Sequence, residues 1–321
     1  MIEVKNLTKR YGKTVAVDGI SFKINNGRIY GLLGPNGAGK STTLGMLSGC
    51  LAPTCGRVRI NGFDVQSEPK KAKKYIGYLP EIPPLYDEMT PVEYLSFVAE
   101  AKGVSYERGV RQVNEVLELT GLDGVKRKLI RQLSKGTRQR VGIAQALLGN
   151  PEIIILDEPT VGLDPRQITE IRALVRRLGE KRTVIISSHL LSEVEELCDH
   201  VLILSEGKLV ANAPIEELRE MRGGQRLSLT VRGEAADVIA LLSGIDGIVE
   251  CKIENMPEEG VVDLMLTVSG ERDVRDDIFF AMAEHRCAVL SMEREERSLE
   301  SVFLSLTEKG KEDAPNASDL P

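Results

Sequence analysis

The hydrophobic positions in the first half of the chain alternate between short strand-like runs and longer helix-like stretches. Residues 28–33, 153–156 and 183–186 are short apolar runs without polar alternation, which is typical of strands buried on both faces of a parallel sheet. A helix-compatible stretch from Ser41 to Gly49 follows the first run and the glycine-rich segment after it. This order predicts an α/β domain.

Three further stretches, between the first and second of these strands, have helical periodicity and charged outer faces. They are Pro91–Ala101, Tyr106–Thr120 and Gly136–Leu148. Pro83 and Pro84 precede them, at a point where a helix cannot continue. We therefore predict a helical insertion over roughly residues 82–150 within the α/β domain.

The C-terminal third begins a new pattern of strands and helices. Strands are predicted at residues 226–233, 247–254, 261–268 and 287–292, helices at 234–243 and 272–285, and a turn at Asn255–Gly260. The resulting β-α-β-β-α-β order predicts a small α+β domain of the ferredoxin-like kind. A last amphipathic helix is predicted at Ser298–Leu306, and we expect the polar tail, residues 309–321, to be disordered.

Charge changes along the chain near the start of that third. Basic residues exceed acidic ones up to Pro214, and acidic residues dominate beyond it, which predicts domains at residues 1–215 and 216–308. The acidic part offers no basic stripe, so we expect no nucleic-acid partner. No stretch is apolar enough to span a bilayer, and the N-terminus lacks a secretory signal.

The cysteines and histidines argue against a metal centre built from these residues. The five cysteines fit no metal or redox spacing, and we expect them to be reduced in a cytosolic protein. The three histidines are far apart in the sequence, so a histidine-rich metal site is not expected.

A phosphate-binding loop is predicted directly after the first strand. The run Gly34-Pro35-Asn36-Gly37-Ala38-Gly39-Lys40-Ser41 matches G-x-x-x-x-G-K-[ST] in full, between a strand and a helix. Glycines let backbone N–H groups converge on an anion, and the helix N-terminus adds partial positive charge. We expect Lys40 to reach the β- and γ-phosphates of a nucleotide and Ser41 to bind Mg²⁺. A glycine-rich turn without a ligand is the alternative, which the full match in this context disfavours.

Two carboxylates follow the strand at residues 153–156. Asp157 stands where Mg²⁺ needs an oxygen ligand, and Glu158 is placed to poise a water for attack on the γ-phosphate. Two acids after a strand are more often a helix cap or a surface pair. Beside a phosphate loop, however, the combination favours a metal ligand and a general base.

Together these motifs resemble the ATP-binding subunits of ABC transporters over roughly residues 1–215. The resemblance also rests on the signature Leu133-Ser134-Lys135-Gly136-Thr137, the second nucleotide motif Asp157-Glu158-Pro159-Thr160 and the D-loop Val161-Gly162-Leu163-Asp164. It implies a P-loop NTPase fold, with His189 as the histidine that contacts the γ-phosphate and Tyr11 as the aromatic residue that stacks on adenine. His200 and His285 lie in apolar runs, and we interpret both as structural.

Two parts of the chain depart from the family pattern. Lys135 and Thr137 replace a glycine and a glutamine of the signature, whereas Ser134 and Gly136, which would face a partner's γ-phosphate, are retained. Glu81 stands where the family has the Q-loop glutamine. It can offer an oxygen to Mg²⁺ or to the water, but the alternative is an exposed loop acid.

These departures are similar to those of an exporter branch that includes antibiotic-resistance and gliding-motility ATPases. That branch tends to carry a C-terminal α/β extension ending in a helix like residues 299–304, which extends the resemblance to about residue 308.

The resemblance implies an assembly in which one chain supplies half of each catalytic site. Two subunits, either two copies or this chain and a paralogue, would enclose two ATP molecules head to tail. Residues 34–42, including Thr42, would face Ser134 and Gly136 of the other subunit. A separate integral-membrane permease would dock near Glu81 and the Pro83-Pro84 turn, on the cytoplasmic face of the membrane. The resemblance to the exporter branch implies that ATP hydrolysis would power export.

Three other interpretations remain open from the sequence. The chain could be a soluble ABC ATPase acting on ribosomes or DNA, although such proteins generally have two nucleotide domains or a long coiled coil. It could be an importer ATPase whose C-terminal domain senses a ligand, although those subunits usually keep the Q-loop glutamine. The C-terminal domain could also simply stabilise a dimer through Val302 and Phe303.

Overall fold

The computed structural model describes residues 1–220, 226–258, 260–269 and 273–295. The described chain divides into two compact units, the first covering residues 1–215 and the second beginning at Glu216. The helix predicted at Ser298–Leu306, with Val302 and Phe303, and the tail at 309–321 lie outside the described residues.

The first unit and its junction with the second contain ten strands and eight α-helices within the described residues. In chain order they are β1 (Ile2–Tyr11), β2 (Thr14–Ile24), β3 (Ile29–Leu33), α1 (Lys40–Leu47), β4 (Cys55–Ile60), β5 (Phe63–Asp64), α2 (Pro69–Ala72), β6 (Ile76–Leu79), α3 (Pro91–Ala101), α4 (Tyr106–Leu119), α5 (Lys135–Leu147), β7 (Ile153–Leu156), α6 (Pro165–Gly179), β8 (Thr183–Ser188), α7 (Leu191–Leu197), β9 (His200–Ser205), β10 (Lys208–Pro214) and α8 (Ile215–Glu220).

A six-stranded sheet with the order β10-β9-β3-β8-β7-β6 forms the centre of the first unit. Its neighbouring strands are parallel except for β10, which pairs antiparallel with β9. Every residue of β3, β7 and β8 is buried, which confirms the prediction of strands covered on both faces. Because these strands are parallel, their carboxyl ends and the loops that follow them lie at one edge of the sheet.

A second, antiparallel sheet with the order β2-β1-β4-β5 was not predicted from the sequence. The pairing of β1 with β2 is interrupted by register shifts, so the polar and apolar positions do not alternate regularly. One hydrophobic cluster nevertheless joins this sheet to α1 and the central sheet, and it includes Leu7, Phe22 and Leu44. The second sheet therefore packs beside the helix that the phosphate loop opens.

The predicted helical insertion contains α3, α4 and α5. The first of these begins with a capping box, because the Thr90 side chain accepts from the Glu93 backbone N–H and the Glu93 carboxylate accepts from the Thr90 N–H. Pro91 occupies the first helical position, where a missing N–H costs no helix hydrogen bond.

The second unit contains β11 (Arg226–Arg232), α9 (Ala235–Ser243), β12 (Ile248–Glu258), β13 (Val261–Val268), α10 (Arg275–Glu284) and β14 (Ala288–Glu295). Its antiparallel sheet has the order β12-β13-β11-β14. A separate core forms beneath α9 and α10, with Leu229, Val238 and Ile278 among its buried members.

One local prediction in this unit is wrong. Residues 255–258 are not part of a turn but continue β12, and Glu258 pairs with Val261 across the hairpin. Because β12 lies at the edge of its sheet, it needs only one ladder of hydrogen bonds, and an edge strand tolerates Pro257. The turn itself is short and contains Gly260, whose φ is 74°.

Across the residues described above, no helix combines the length and the apolar character required to cross a membrane.

Candidate functional site

The predicted phosphate loop connects the end of β3 to the start of α1 and is held close to neighbouring backbone. A Cβ on Gly34 would lie 2.5 Å from the carbonyl oxygen of Leu204, and a Cβ on Gly39 would lie 2.5 Å from that of Ala16. Gly39 also has a φ of 98° and caps α1. Glycine is therefore required at both positions, and the loop wraps tightly around the N-terminus of the helix.

Lys40 is folded back over this loop. Its side chain is only 6% exposed, and Nζ donates to the carbonyl oxygens of Gly34 at 2.8 Å and Pro35 at 3.3 Å. Nζ also lies 3.4 Å from Oε1 of Glu158. A buried ammonium is thus held beside a buried carboxylate at the mouth of the loop.

Asp157 follows β7 and is almost fully buried. Its Oδ1 accepts hydrogen bonds from Ser187 Oγ at 2.6 Å and from Ser41 Oγ at 3.2 Å. Burial raises the pKa of Asp157, the two serine hydrogen bonds oppose that rise, and the negative charges of Glu81 and Glu158 add to it. The ionised form of Asp157 is therefore disfavoured mainly because the carboxylate is buried.

Glu158 has a backbone conformation that few residues other than glycine adopt. Its φ is 45°, and its N–H donates to Ser187 Oγ at 2.7 Å. The side chain points away from that of Asp157: Oε2 lies 2.9 Å from His189 Nδ1, while Oε1 faces Lys40. A cation and an imidazole thus hold the Glu158 carboxylate.

A cavity of about 560 Å³ brings most of the predicted site residues together. It is lined by Ala16, Pro35, Asn36, Gly37, Gly39, Lys40, Ser41, Thr42, Glu81, Glu158, Val161 and His189. His189 follows β8, and its side chain is 38% exposed. Glu81 is exposed just beyond β6, so the loops after three parallel strands contribute carboxylates or imidazole to one cavity.

Six predicted residues are not part of this lining, namely Tyr11, Gly34, Ala38, Ser134, Gly136 and Asp157. Tyr11 is 51% exposed at the end of β1, with Lys9 Nζ 5.1 Å from its ring centroid. Ser134 caps α5 and accepts from the Thr137 N–H at 3.3 Å, and Gly136 lies in the first turn of the same helix. Gly34 and Ala38 belong to the phosphate loop, but both are buried and do not face the cavity.

The signature segment packs against the D-loop of the same chain. The Lys135 ammonium lies against Gly162, and a Cβ on Gly136 would meet Gln167 Oε1 at 2.5 Å. Asp164 caps α6 by accepting from the Gln167 N–H at 2.9 Å. Lys135, a departure from the family pattern, is therefore a contact between the signature and the D-loop of one chain.

Ser187 contacts both catalytic candidates and was missed from the sequence. Its hydroxyl donates to Asp157 and accepts from the Glu158 N–H. The only sequence signal is a small polar residue near the end of a buried strand, two positions before His189. Ala16 and Val161 also line the cavity and were not predicted.

The described residues contain no group of three or more His, Cys, Asp or Glu side chains placed to hold a metal ion. The oxygen atoms of Ser41 and Asp157 are nevertheless donors of the kind that Mg²⁺ prefers, and Mg²⁺ commonly takes its remaining ligands from phosphate and water.

Comparison with known proteins gives a consistent result. A family described as "ABC transporter" matches residues 17–161. The linearmycin resistance ATP-binding protein of Bacillus subtilis (strain 168) is 34% identical, over 96% of this chain and 98% of that protein. The bacitracin transport ATP-binding protein of Bacillus licheniformis is 37% identical, over 95% of this chain and 97% of that protein.

Solved structures resemble about two thirds of the chain. An ATP-binding cassette, in a dimeric post-hydrolysis state bound to ADP and Pi, superposes with a TM-score of 0.61 at 27% identity. The match covers 67% of this chain and 99% of the cassette.

Proposed function

The chain belongs to the family of ATP-binding subunits of ABC transporters, and from this premise we propose which of its residues bind and hydrolyse ATP. As a member of that family, it is an ATPase with the ABC ATPase fold. The observation that carries the assignment is the convergence of Lys40, Glu158 and His189 on one cavity above the phosphate loop.

Residues 34–42 bind the phosphates of ATP. The N-terminus of α1 directs backbone N–H groups and partial positive charge toward the loop, and Lys40 adds a full charge. In the structure Lys40 Nζ is satisfied by two loop carbonyls and Glu158. Phosphate oxygens replace part of that shell when ATP binds.

Ser41 and Asp157 hold Mg²⁺ in this proposal. Their oxygens already face each other at 3.2 Å. The pKa of Asp157 is raised mainly by burial and secondarily by the charges of Glu81 and Glu158, and a bound cation would offset both effects by stabilising the ionised carboxylate. Glu81, which also lines the cavity, offers a further oxygen. When bound, Mg²⁺ neutralises charge on the β- and γ-phosphate oxygens.

Glu158 acts as the general base. Its carboxylate takes a proton from a water as the water oxygen attacks the γ-phosphorus and the bond to the ADP oxygen breaks, which yields ADP and phosphate. His189 contacts the γ-phosphate while its Nδ1 stays beside Glu158 Oε2. Lys40 and His189 restrict the carboxylate from two sides and so orient it.

Adenine and the second half of the site come from surfaces outside the cavity. Tyr11 is exposed and stacks on adenine, while Ser134 and Gly136 contact the γ-phosphate of ATP held by a second subunit. Their absence from the cavity of their own chain supports a head-to-tail ATP sandwich, formed with another copy or a paralogue. A dimeric relative bound to ADP and Pi supports the same assembly.

A separate membrane permease is the partner, and export is the direction we propose. The support is that similar proteins are named for linearmycin resistance and bacitracin transport. On the helical insertion, Tyr86 and Phe97 are exposed and adjacent, and Ile82 is a further exposed apolar side chain. The Tyr86 ring contacts that of Phe97 at a centroid distance of 5.6 Å, and exposed apolar patches of this kind mark partner sites. In this proposal the chain works at the cytoplasmic face of the membrane.

The test is co-purification from detergent-solubilised native membranes, with tagged full-length Glu158→Gln protein and ATP. We expect a polytopic membrane protein to co-purify in an amount comparable to that of the tagged protein. Adding Phe97→Asp should abolish this co-purification. Glu107→Lys, at an exposed position in α4, is the matched surface control and should retain the partner. Ribosomal or DNA-bound material without a membrane protein would instead assign the chain to the soluble ABC ATPases.

A further inference from the structure

The turn that carries His189 is clamped by the residue before it. Ser188 is the last residue of β8 and is fully buried. Its Oγ accepts from the Leu190 N–H at 3.0 Å and donates to Glu193 Oε2 at 2.7 Å. Since a hydroxyl has one proton, giving it to Glu193 leaves a lone pair for the Leu190 N–H. The backbone on both sides of His189 is thereby held.

Glu193 is a buried carboxylate at the start of α7. The residue is 1% exposed. Besides the hydrogen bond from Ser188, it has an ion pair with Arg172 of α6, whose Nε lies 3.9 Å from Oε1. Neither Arg172 Nε nor Glu193 Oε1 has a hydrogen-bond partner among the described residues. A buried charge is costly unless it is paired, so this carboxylate depends on Ser188 and Arg172.

The same arginine connects the clamp to the D-loop. Helix α6 begins directly after Asp164, the last residue of the D-loop and the cap of the helix. Arg172 and Arg176, both on α6, also contact Glu196 of α7. Charged contacts between α6 and α7 therefore join the element after the D-loop to the element after His189.

We propose that Glu193 is a positioning residue for His189, acting through Ser188 and anchored to α6 by Arg172. It sets the backbone turn from which the imidazole reaches Glu158, with Nδ1 2.9 Å from Oε2. This inference rests on the role proposed above for His189. It differs from a purely structural role, in which Glu193 would only stabilise the N-terminus of α7 as an acidic residue in the first turn.

The decisive measurement is the steady-state ATPase activity of full-length variants. For Glu193→Ala we expect kcat to fall about 10- to 100-fold with KM for ATP within about twofold, since misplacing a contact by about 1 Å can cost that much. Glu193→Gln keeps an oxygen that accepts the Ser188 proton, so it should retain kcat within about threefold. Glu180→Ala, an exposed glutamate at the end of α6, is the matched control and should match the wild type.

Measuring Glu193→Ala in a protein that also carries His189→Ala distinguishes a positioning role from general destabilisation. If Glu193 acts through His189, adding Glu193→Ala to a His189→Ala protein should cause no further loss of kcat. An equal loss in both backgrounds, or an unchanged kcat in Glu193→Ala, would overturn the proposal. Should Glu193→Ala fail to fold, Ser188→Ala interrupts the same link and carries the same two expectations.

Histidine NMR gives a readout that does not depend on catalysis. The chain has three histidines, so His189→Ala identifies the His189 ring signal directly. We expect that signal to shift in Glu193→Ala and to stay in place in Glu180→Ala; an unmoved signal would contradict the positioning role. If His189→Ala itself keeps full kcat, the catalytic role of His189 fails, and the NMR result alone decides whether Glu193 positions the ring.

Discussion

Asp157 and Glu158 are neighbours in the sequence but lie in different environments because the backbone turns sharply between them. Asp157 directly follows strand β7 and accepts from two serines, whereas Glu158 adopts a φ of 45° and turns its carboxylate to Lys40 and His189. A non-glycine residue in that conformation costs on the order of 1–3 kcal/mol. The strained turn thus separates the proposed metal ligand from the proposed general base within two consecutive residues.

Replacing Glu158 by glutamine tests the base. Glu158→Gln keeps the shape of the side chain but cannot take a proton from water, so we expect kcat to fall by ~10²–10⁴-fold. The affinity for ATP, measured with a fluorescent analogue, should change little because the phosphate loop is intact. A variant with normal turnover would exclude Glu158 as the base.

Replacing Asp157 by asparagine tests the buried charge. The pKa of Asp157 is raised in the folded protein, mainly by burial, so the folded state holds this proton more tightly than the unfolded chain does. Ionised Asp157 therefore lowers stability as pH rises from about 4 through the raised pKa. The asparagine side chain would keep an oxygen for Ser41 and Ser187 without the charge, so Asp157→Asn should raise Tm at pH 7.5 by a few degrees, about 2–4 °C per kcal/mol.

Differential scanning calorimetry without nucleotide and with EDTA measures this difference. We expect it to shrink as the pH falls from 7.5 through the raised pKa of Asp157, because protonation removes the buried charge, while Mg²⁺-dependent hydrolysis is lost at every pH. A lower Tm for the variant at pH 7.5 would show that the charge is compensated within the folded chain.

Single residues were predictable where the chemistry lies in consecutive positions. Lys40, Asp157 and Glu158 stand in or beside runs whose spacing itself predicts a phosphate or metal site, and the structure brings Lys40 and Glu158 to one cavity, with Asp157 bound to Ser41 beside it. Ser187 was not predictable, because it lies on β8 and contacts Asp157 and Glu158, which follow the neighbouring strand β7. No local sequence pattern marks a serine that binds residues of another strand in this way.

At the scale of elements, the phosphate loop depends on two glycines in different ways. Gly37 and Gly39 both have positive φ, but a Cβ on Gly37 meets nothing within 4 Å, whereas one on Gly39 strikes the Ala16 backbone. Gly39→Ala should therefore lower Tm clearly more than Gly37→Ala, because overpacking adds typically about 1–3 kcal/mol to the strain that both variants share. Thermal unfolding of the nucleotide-free variants checks this. Equal Tm values would show that the β2 backbone at Ala16 can shift to accommodate the added Cβ at little cost in stability.

Strands that are buried on both faces were easier to predict from the sequence than strands that are only partly buried. Strands β3, β7 and β8 were recognisable because both faces are covered and the apolar runs are unbroken. The β1–β2 hairpin was not, because its register shifts interrupt the alternation that reveals a half-buried strand. Residues 255–258 were predicted as a turn because of Pro257, although pairing with β13 keeps them extended at a sheet edge.

At the scale of the whole molecule, the two proposed halves of the catalytic site lie apart within one chain. The cavity contains the phosphate loop and Glu158, while Ser134 and Gly136 lie at the start of α5, outside its lining. Lys135 and Gly162 connect the signature to the D-loop within the chain, so both motifs would approach a second subunit together. An ATP-dependent dimer is the arrangement that would complete each site in our proposal.

Size-exclusion chromatography with light scattering tests this dimer. Full-length Glu158→Gln, which retains ATP, should double its mass on addition of ATP and remain a monomer with ADP, because the γ-phosphate is the shared contact. Adding Ser134→Arg should block the dimer, since a bulky side chain replaces the hydroxyl at the exposed cap of α5.

The matched control is Ser105→Arg, because Ser105 is also an exposed helix N-cap on the insertion and its side chain makes no capping hydrogen bond. This variant should dimerise like Glu158→Gln alone, and all three proteins should bind fluorescent ATP with similar affinity, since Ser134 does not line the cavity of its own chain. A Ser134→Arg protein that still dimerises with ATP would place the interface away from the signature. If Glu158→Gln itself does not dimerise with ATP, a paralogue is indicated as the partner. In a homodimer, the phosphate loop and the Ser134–Gly136 segment of each site would both have to come from copies of this chain.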